Sequence, residues 1–363
     1  MYNIFLKKSS LFCKNNEKTP IFLHFIQTST TPPQATGEIR CSKKDAYIME
    51  GNAIYFFINL WYNIIVILLR SYIVNLTNTE KIMLLKGKPV SEKIEKEIRE
   101  RVIELKESGR NPCLAILRVG EKPSDLSYEK NIVKKADELG IKICTVVFAN
   151  DENLKTEVII ERIKELNDDD GTDGIMLFRP LPRNLDEKAI CETISPSKDV
   201  DSVTSSSLYS VLTDGEEGFA PCTAEAGMET IRHYGIDLTG KNALVIGRSL
   251  VIGKPIAMML LKENASVTIA HSKTPSSALI DYVNDADVIV SAAGKIDLIT
   301  ADMIKSEKKK VLIDVGINFD DEGRLTGDVN RELYEMENID ITPVPGGLGG
   351  VTTTVLLNHL VKN

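Results

Sequence analysis

No two cysteines of this chain are spaced as CxxC, and no histidine lies at metal-ligand spacing from any of the six (Cys13, Cys41, Cys113, Cys144, Cys191, Cys222). A zinc site or redox dithiol built on a local motif is therefore excluded, and the thiols read as reduced and mostly buried, as in a cytoplasmic protein. A basic surplus is also missing. Lys and Arg number 44 against 52 Asp and Glu, giving a net charge of -8 and a pI near 5.3. Phosphate-backbone binding needs clustered cations, so no nucleic-acid partner is expected and a small-molecule ligand fits better. Long apolar runs are nearly absent. The one candidate, Ala53 to Leu69, is shorter than the roughly 20 residues of a bilayer span and contains Asn59 and Asn63. Membrane association is expected only if residues 53–69 are expressed as an anchor. An acid-poor, Arg-rich presequence is equally missing, because Glu38, Asp45 and Glu50 interrupt and Lys outnumbers Arg. Residues 1–82 lack turn-and-helix rhythm, and α/β patterning begins abruptly at Met83. We expect Met83 to open the folded protein and residues 1–82 to be a non-core extension.

At 363 residues the chain exceeds the usual single core, so two domains are expected. Ile94, Ile98, Val102 and Leu105 recur at helical spacing after Ser91, which predicts a helix over 91–108 with Ser91 as its N-cap. A strand at 113–119, a helix at 125–139 stopping at Gly140, a strand at 143–148, a helix at 157–166, a strand at 174–178 and a helix at 187–194 follow. A second series has a helix at 224–233 and strands at 243–246, 267–270, 288–291 and 311–315. A last helix, 351–361, follows the loop 343–350. Such alternation predicts an α/β fold with parallel strands joined by right-handed crossovers and helices on both faces. No internal repeat or low-complexity tract interrupts it, and the boundary is expected between Asp201 and Cys222.

Asn242 to Pro255 reads NALVIGRSLVIGKP, a buried strand entering a loop bounded by Gly247 and Gly253 and then a helix. That arrangement aims free backbone N–H groups and the positive end of a helix at a pyrophosphate, although the spacing is not GxGxxG and Gly247 alone reads equally as a turn residue. The next strand ends in AHSKT at 270–274, with no acid to bond a ribose 2'-hydroxyl. Arg248, Ser272 and Lys273 offer donors and positive charge suited to a 2'-phosphate, which favours NADP over NAD.

Several segments together resemble the bifunctional methylenetetrahydrofolate dehydrogenase/methenyltetrahydrofolate cyclohydrolase (FolD) family. They are VGEKPSDLSY ending at Tyr128, RPLP at 179–182, KDVDS at 198–202, PCT at 221–223, GRSLVIGKP at 247–255, HSKT at 271–274, DVGIN at 314–318, GDV at 327–329 and TPVPGGLGGVT at 342–352. They stand in family order and cover nearly everything after Met83. The resemblance implies a folate-binding catalytic domain over 83–221, joined by the C-terminal helix 351–363, and a Rossmann-like NADP domain over 222–350, with a cleft between them. It also implies a homodimer and tetrahydrofolate derivatives as substrates. By position, Tyr128 would stack on folate and Asp201 would grip the pterin nitrogens. Pro345, Gly346 and Gly347 would form a loop beside folate and nicotinamide. Gly247, Arg248, Ser249, Gly253, Ser272 and Ile317 would hold NADP. Read without the family, Tyr128 is equally a half-buried helix aromatic and Asp201 a turn residue.

The chain departs from that pattern. The family's Lys one turn after the Tyr, which shuttles a proton during hydrolysis, is Ile132, and the Gln that orients it is Phe178. The last loop has Gly350 and Val351 for Pro and Met, and Ser202 stands for a Gly. Hydride transfer needs alignment and is expected to persist, whereas hydrolysis lacks its usual proton shuttle. Lys135, seven residues after Tyr128, is the candidate catalytic replacement; the alternative is that Lys130, Lys134 and Lys135 form a solvated face. Two further readings stand beside the dehydrogenase: a non-catalytic folate or NADP binder, and another two-domain dehydrogenase acting on a small acid.

Overall fold

The computed structural model describes residues 83–213 and 218–362. The apolar run 53–69 and the rest of the expected extension 1–82 lie outside the described residues.

The first lobe opens with α1 (Gly87–Glu107), which buries Val90, Ile94, Ile98, Val102 and Leu105 on one face. It starts four residues before the expected cap. Pro89 sits in the first turn, where its missing N–H has no intrahelical partner to lose, so the helix runs through Ser91, which is buried inside it. After β1 (Cys113–Val119) come α2 (Pro123–Leu139), β2 (Lys142–Phe148), α3 (Thr156–Asp168), β3 (Gly174–Leu177) and α4 (Glu187–Glu192). Helix α2 has Pro in its first turn and stops at Gly140, whose φ of 75° is left-handed, as expected. The sheet order is β2-β1-β3, all parallel, with Leu114 opposite Ile143 and Gly174. β1 is buried along its whole length. Its lone charge, Arg118, is matched by Glu129 at 2.8 Å.

The chain then forms α5 (Ser205–Thr213), α6 (Cys222–His233), β4 (Asn242–Ile246), α7 (Gly253–Lys262), β5 (Ser266–Ala270), α8 (Ser276–Asp285), β6 (Val288–Ser291) and β7 (Lys310–Asp314). A short antiparallel hairpin, β8 (Asn318–Phe319) with β9 (Leu325–Thr326), precedes β10 (Ile339–Ile341) and α9 (Leu348–Lys362). The second sheet is parallel in the order β10-β7-β6-β4-β5. β5 and β6 flank β4 on opposite sides, so the chain reverses direction across the sheet there. In such sheets ligands bind outside the carboxyl ends of the strands at the reversal. The first sheet repeats the device, with β2 and β3 flanking β1.

Helix α9 begins at Leu348, three residues before the expected start, so Gly349 and Gly350 form its first turn rather than a loop. It packs on α1 and α6. Leu356, Leu357 and Leu360 are each at most 1% exposed, and each such burial stabilises by about 1.5–3 kcal/mol. Through these helices one apolar cluster runs from Leu114 and Ile116 of the first sheet to Val245, Val290 and Ile313 of the second. The start of the described chain also reaches across, since Leu85 N donates to Ile341 O at 2.8 Å and Ile341 N to Met83 O at 3.1 Å. Among the described residues no helix is long and apolar enough to cross a membrane, and no group of three His, Cys, Asp or Glu could hold a metal ion.

Candidate active site

The carboxyl ends of both sheets face one cleft. Its larger part, about 600 Å³, is lined by Tyr128 from α2, Asp201, Ile317, Pro345, Gly346 and Gly347, and by Val251 from the turn after β4. A second part, about 530 Å³, shares Tyr128, Asp201 and Val251 and adds Phe178 and Arg179. Tyr128 and Asp201 therefore meet the β4 turn across open space.

Burial, with Cys222 and Asp201 adding to it, pushes the Tyr128 phenol well above its ordinary range, so the ring enters the site neutral. Phe178 packs against it in a T-shaped pair, with ring centroids 6.1 Å apart and planes at 86°. Ile132 and Phe178 are both buried in the apolar cluster that Tyr128 packs against. Burial likewise pushes the Asp201 carboxyl up to about 6, against the opposing pull of Arg179, the Cys222 thiol and His359. Ser202 follows with φ 56°, a left-handed conformation that only glycine adopts freely. Its Oγ is buried and has no hydrogen-bond partner.

At the nucleotide end, Gly247 N donates to Ala270 O at 2.9 Å. Ile246 is in register with Ala270, so Arg248 and Ser272 each stand two residues beyond a paired position at the ends of adjacent strands, and both are exposed. Gly247 has φ 142°, and a Cβ there would stand 2.5 Å from Ala292 O. A Cβ on Gly253 would stand 2.4 Å from Gly247 O, so only two glycines let the turn close this tightly onto α7. Ser249 Oγ accepts from Ile252 N at 3.1 Å and Gly253 N at 3.4 Å. The cleft's far wall rests on two buried carboxylates. Asp328 accepts from Ser291 Oγ at 3.0 Å, Ala293 N at 2.8 Å, Lys295 N at 2.9 Å and Asn318 Nδ2 at 3.0 Å. Asp314, raised to about 6 chiefly by burial, accepts from Gly316 N at 3.0 Å, Asp328 N at 3.0 Å and Val329 N at 3.1 Å. They hold the backbone that presents Ile317. The donors and positive charge of Arg248, Ser272 and Lys273 fit the 2'-phosphate of NADP, and the glycine-tight turn fits a pyrophosphate.

Lys135 is not part of this arrangement. Its ammonium lies 2.8 Å from Glu95 and 3.4 Å from Glu138, facing α1, and burial opposes but does not cancel the rise in its pKa caused first by the Glu95 bond. The expectation that it fills the place of the missing Lys is corrected: two turns of helix separate it from Tyr128, and a carboxylate already holds it. Sequence reading also missed a network beneath Asp201. His359 of α9 places Nε2 2.8 Å from Glu225 Oε2 of α6 and Nδ1 2.9 Å from Val200 O. Cys222 Sγ stands 3.7 Å from the same ring, and Phe219 stacks on it at 4.3 Å and 9°. Arg179, Asp314 and Asp328 were missed as well, although each stands within a motif quoted above.

Residues 85–201 match the model of the tetrahydrofolate dehydrogenase/cyclohydrolase catalytic domain, and residues 221–363 match that of the tetrahydrofolate dehydrogenase/cyclohydrolase NAD(P)-binding domain. The bifunctional protein FolD of Clostridium kluyveri is 44% identical over 280 residues, 77% of this chain and 96% of its own length. That of Clostridioides difficile is 43% identical over 279 residues, 77% and 95% respectively. The FolD structure from Campylobacter jejuni superposes with a TM-score of 0.73 at 38% identity, covering 77% of this chain and 98% of that one. A Trypanosoma brucei methylenetetrahydrofolate dehydrogenase-cyclohydrolase complexed with NADP and an inhibitor gives 0.71 at 32% identity, covering 77% and 97%. Two domain models spanning both lobes, with relatives matched over nearly their whole length, show that this chain belongs to the tetrahydrofolate dehydrogenase/cyclohydrolase family.

Proposed function

We propose that this chain is an NADP-dependent methylenetetrahydrofolate dehydrogenase whose hydrolysis of the methenyl product is weak. One observation carries the reading: a single cleft in which Tyr128 and Asp201 from one lobe face Val251, Ile317 and the Pro345–Gly347 loop. The Tyr128 ring offers flat apolar area to a pterin or its aminobenzoyl neighbour, and Asp201 accepts paired hydrogen bonds from a pterin's amino group and ring N–H. Gly346, at φ 104° with its nearest neighbour 3.9 Å from where a Cβ would stand, leaves room for close backbone approach. Arg248 and Ser272 take the 2'-phosphate; Gly247, Ser249 and Gly253 shape the turn under the pyrophosphate; Ile317 borders the nicotinamide. NADP supplies the hydride acceptor. The chain's own contribution is alignment and exclusion of water, while the folate nitrogens carry the positive charge left when hydride departs the methylene carbon. Hydrolysis is different. Water must add to the methenyl carbon, lose a proton, and open the ring toward the 10-formyl product. Ile132 and Phe178 offer no group to move that proton, and Lys135 is turned away.

The reading includes a folate domain over 83–221 completed by 351–363, an NADP domain over 222–350, and a cytoplasmic homodimer that binds no nucleic acid. The test mixes purified protein with 5,10-methylenetetrahydrofolate and NADP and follows NADPH and methenyl absorbance separately. NADPH forms and the methenyl compound accumulates, because a positioned acid or base contributes about 10²–10⁴-fold and is missing. Tight binding without NADPH would instead identify a binder, and full activity in Asp201→Ala would point to a substrate without a pterin.

A further inference from the structure

Arg179 is the only cation among the residues lining the two parts of the cleft. It is half-buried, and among the described residues no hydrogen bond or ion pair engages its guanidinium. Its backbone, by contrast, is fixed on both sides. Phe178 N donates to Leu117 O at 2.9 Å, Lys122 Nζ to Pro180 O at 2.7 Å, and Leu181 N to Glu187 Oε2 at 2.7 Å. Glu187, a carboxylate lining the same part of the cleft, bonds the backbone and forms no ion pair with Arg179. The guanidinium's field reaches Asp201, whose carboxyl it draws downward. A guanidinium removed from bulk water but left without a partner costs free energy, and it is retained where a ligand completes its bonds.

Building on the proposed function, we infer that Arg179 reads the 4-oxo group of the pterin, as a positioning and specificity residue beside Asp201. The chemistry of the two side chains matches the edge of that ring. Along it stand an amino donor, an N3–H donor and the C4 carbonyl acceptor. A carboxylate takes the two donors, and the adjacent position calls for a donor, which a planar guanidinium supplies with charge assistance. Where a polar Lys and Gln are replaced by Ile132 and Phe178, this arginine is the one cationic donor lining that part of the cleft to orient the ring.

The test compares tetrahydrofolate with its 4-amino-4-deoxy analogue, which presents a donor where the carbonyl was. Losing a hydrogen bond to a charged group weakens binding by about 10- to 100-fold. Arg179→Leu therefore raises the KM for methylenetetrahydrofolate and the Kd for tetrahydrofolate by that factor. It leaves the affinity for the 4-amino analogue unchanged, and Arg179→Lys recovers part of the loss. The melting temperature does not fall, since among the described residues the side chain makes no hydrogen bond or ion pair in the free protein whose loss would destabilise it. Equal losses for both ligands would overturn the inference. So would a loss that vanishes with tetrahydropteroate, which lacks the glutamate, because the cation would then be reading the tail carboxylates. Wild-type protein that neither binds tetrahydrofolate nor forms NADPH would fail the proposed function itself; wild-type turnover with an unaffected Arg179→Leu fails only the assignment of Arg179.

Discussion

Replacing His359 with Leu should destabilise the fold by about 3–5 kcal/mol, the usual cost of breaking a buried pair by removing one partner. The ring is 1% exposed, and each of its nitrogens faces an oxygen acceptor, Glu225 Oε2 at 2.8 Å and Val200 O at 2.9 Å. The ring thus ties α9 both to α6 and to the backbone just before Asp201. Leucine refills much of the volume but strands the Glu225 carboxylate, whose side chain is only 17% exposed. Urea unfolding of the single variants and of His359→Leu/Glu225→Leu measures the coupling, with the double variant recovering most of the loss because no charge is then left alone. The KM for methylenetetrahydrofolate rises in His359→Leu, since Val200 immediately precedes Asp201 and loses a bond that anchors its backbone. Burial works to raise the Glu225 pKa, but the His359 bond and charge outweigh it and hold the carboxyl below its ordinary 4.5. A depressed carboxylate stabilises the fold at pH above its unfolded value, and this contribution disappears as pH falls through the folded value. The gap between parent and His359→Leu accordingly narrows once pH drops below 4.5. A loss under about 1 kcal/mol in the single variant, or strict additivity in the double, would refute the coupling.

Four other outcomes are expected. Asp201, raised to about 6 mainly by burial, must ionise to accept two pterin donors, so kcat/KM for the folate falls as pH drops through 6 in the parent and not in Asp201→Asn. The same raised value means that its stabilising contribution is complete below 3.8 and is lost as pH rises through about 6, which pH-resolved unfolding of the two proteins checks. Arg248→Ala combined with Ser272→Ala raises the KM for NADP by about 10- to 100-fold and leaves that for NAD unchanged, collapsing the cofactor preference measured side by side. Ser202→Gly relieves a left-handed backbone at φ 56° and removes a buried hydroxyl without a partner, so it stabilises by about 1–3 kcal/mol in urea unfolding.

The central strands were legible in the sequence because β1, β3 and β6, buried along their whole length, are written as near-continuous apolar runs, and Gly140 marked its helix end. The errors have local causes. β10 is three residues with an acid at its centre, too short for a period to show. Gly349 and Gly350 read as loop, yet the packing of α9 on α1 and α6 outweighs their low helix propensity. The motifs pointed to Tyr128, Asp201, Ile317 and the Pro345–Gly347 loop, and these residues line one cleft. Lys135 shows what helical periodicity leaves out: seven residues return to nearly the same face but stand about 10 Å further along the axis. That advance brings the ammonium beside Glu95 of a neighbouring helix. The His359–Glu225 pair had no signature at all, being two residues 134 apart in sequence.

The departures around the cleft form one pattern. A lysine and a glutamine side by side on this wall would need each other, and removing only one would strand a buried polar group at a cost of about 1–3 kcal/mol. With Ile132 fully buried and Phe178 8% exposed, neither partner is left to be stranded. Phe178 instead braces Tyr128, stiffening the surface on which the folate ring rests. On the proposed reading, hydride transfer keeps its alignment while hydrolysis loses the group that would take the proton from water. The polar duties that remain on this side, orientation of the ring edge and charge balance for Asp201, converge on Arg179. On the proposed reading, this wall separates two reactions that the bifunctional architecture couples, and it leaves the nucleotide turn and the loop from Pro345 to Gly347 in place.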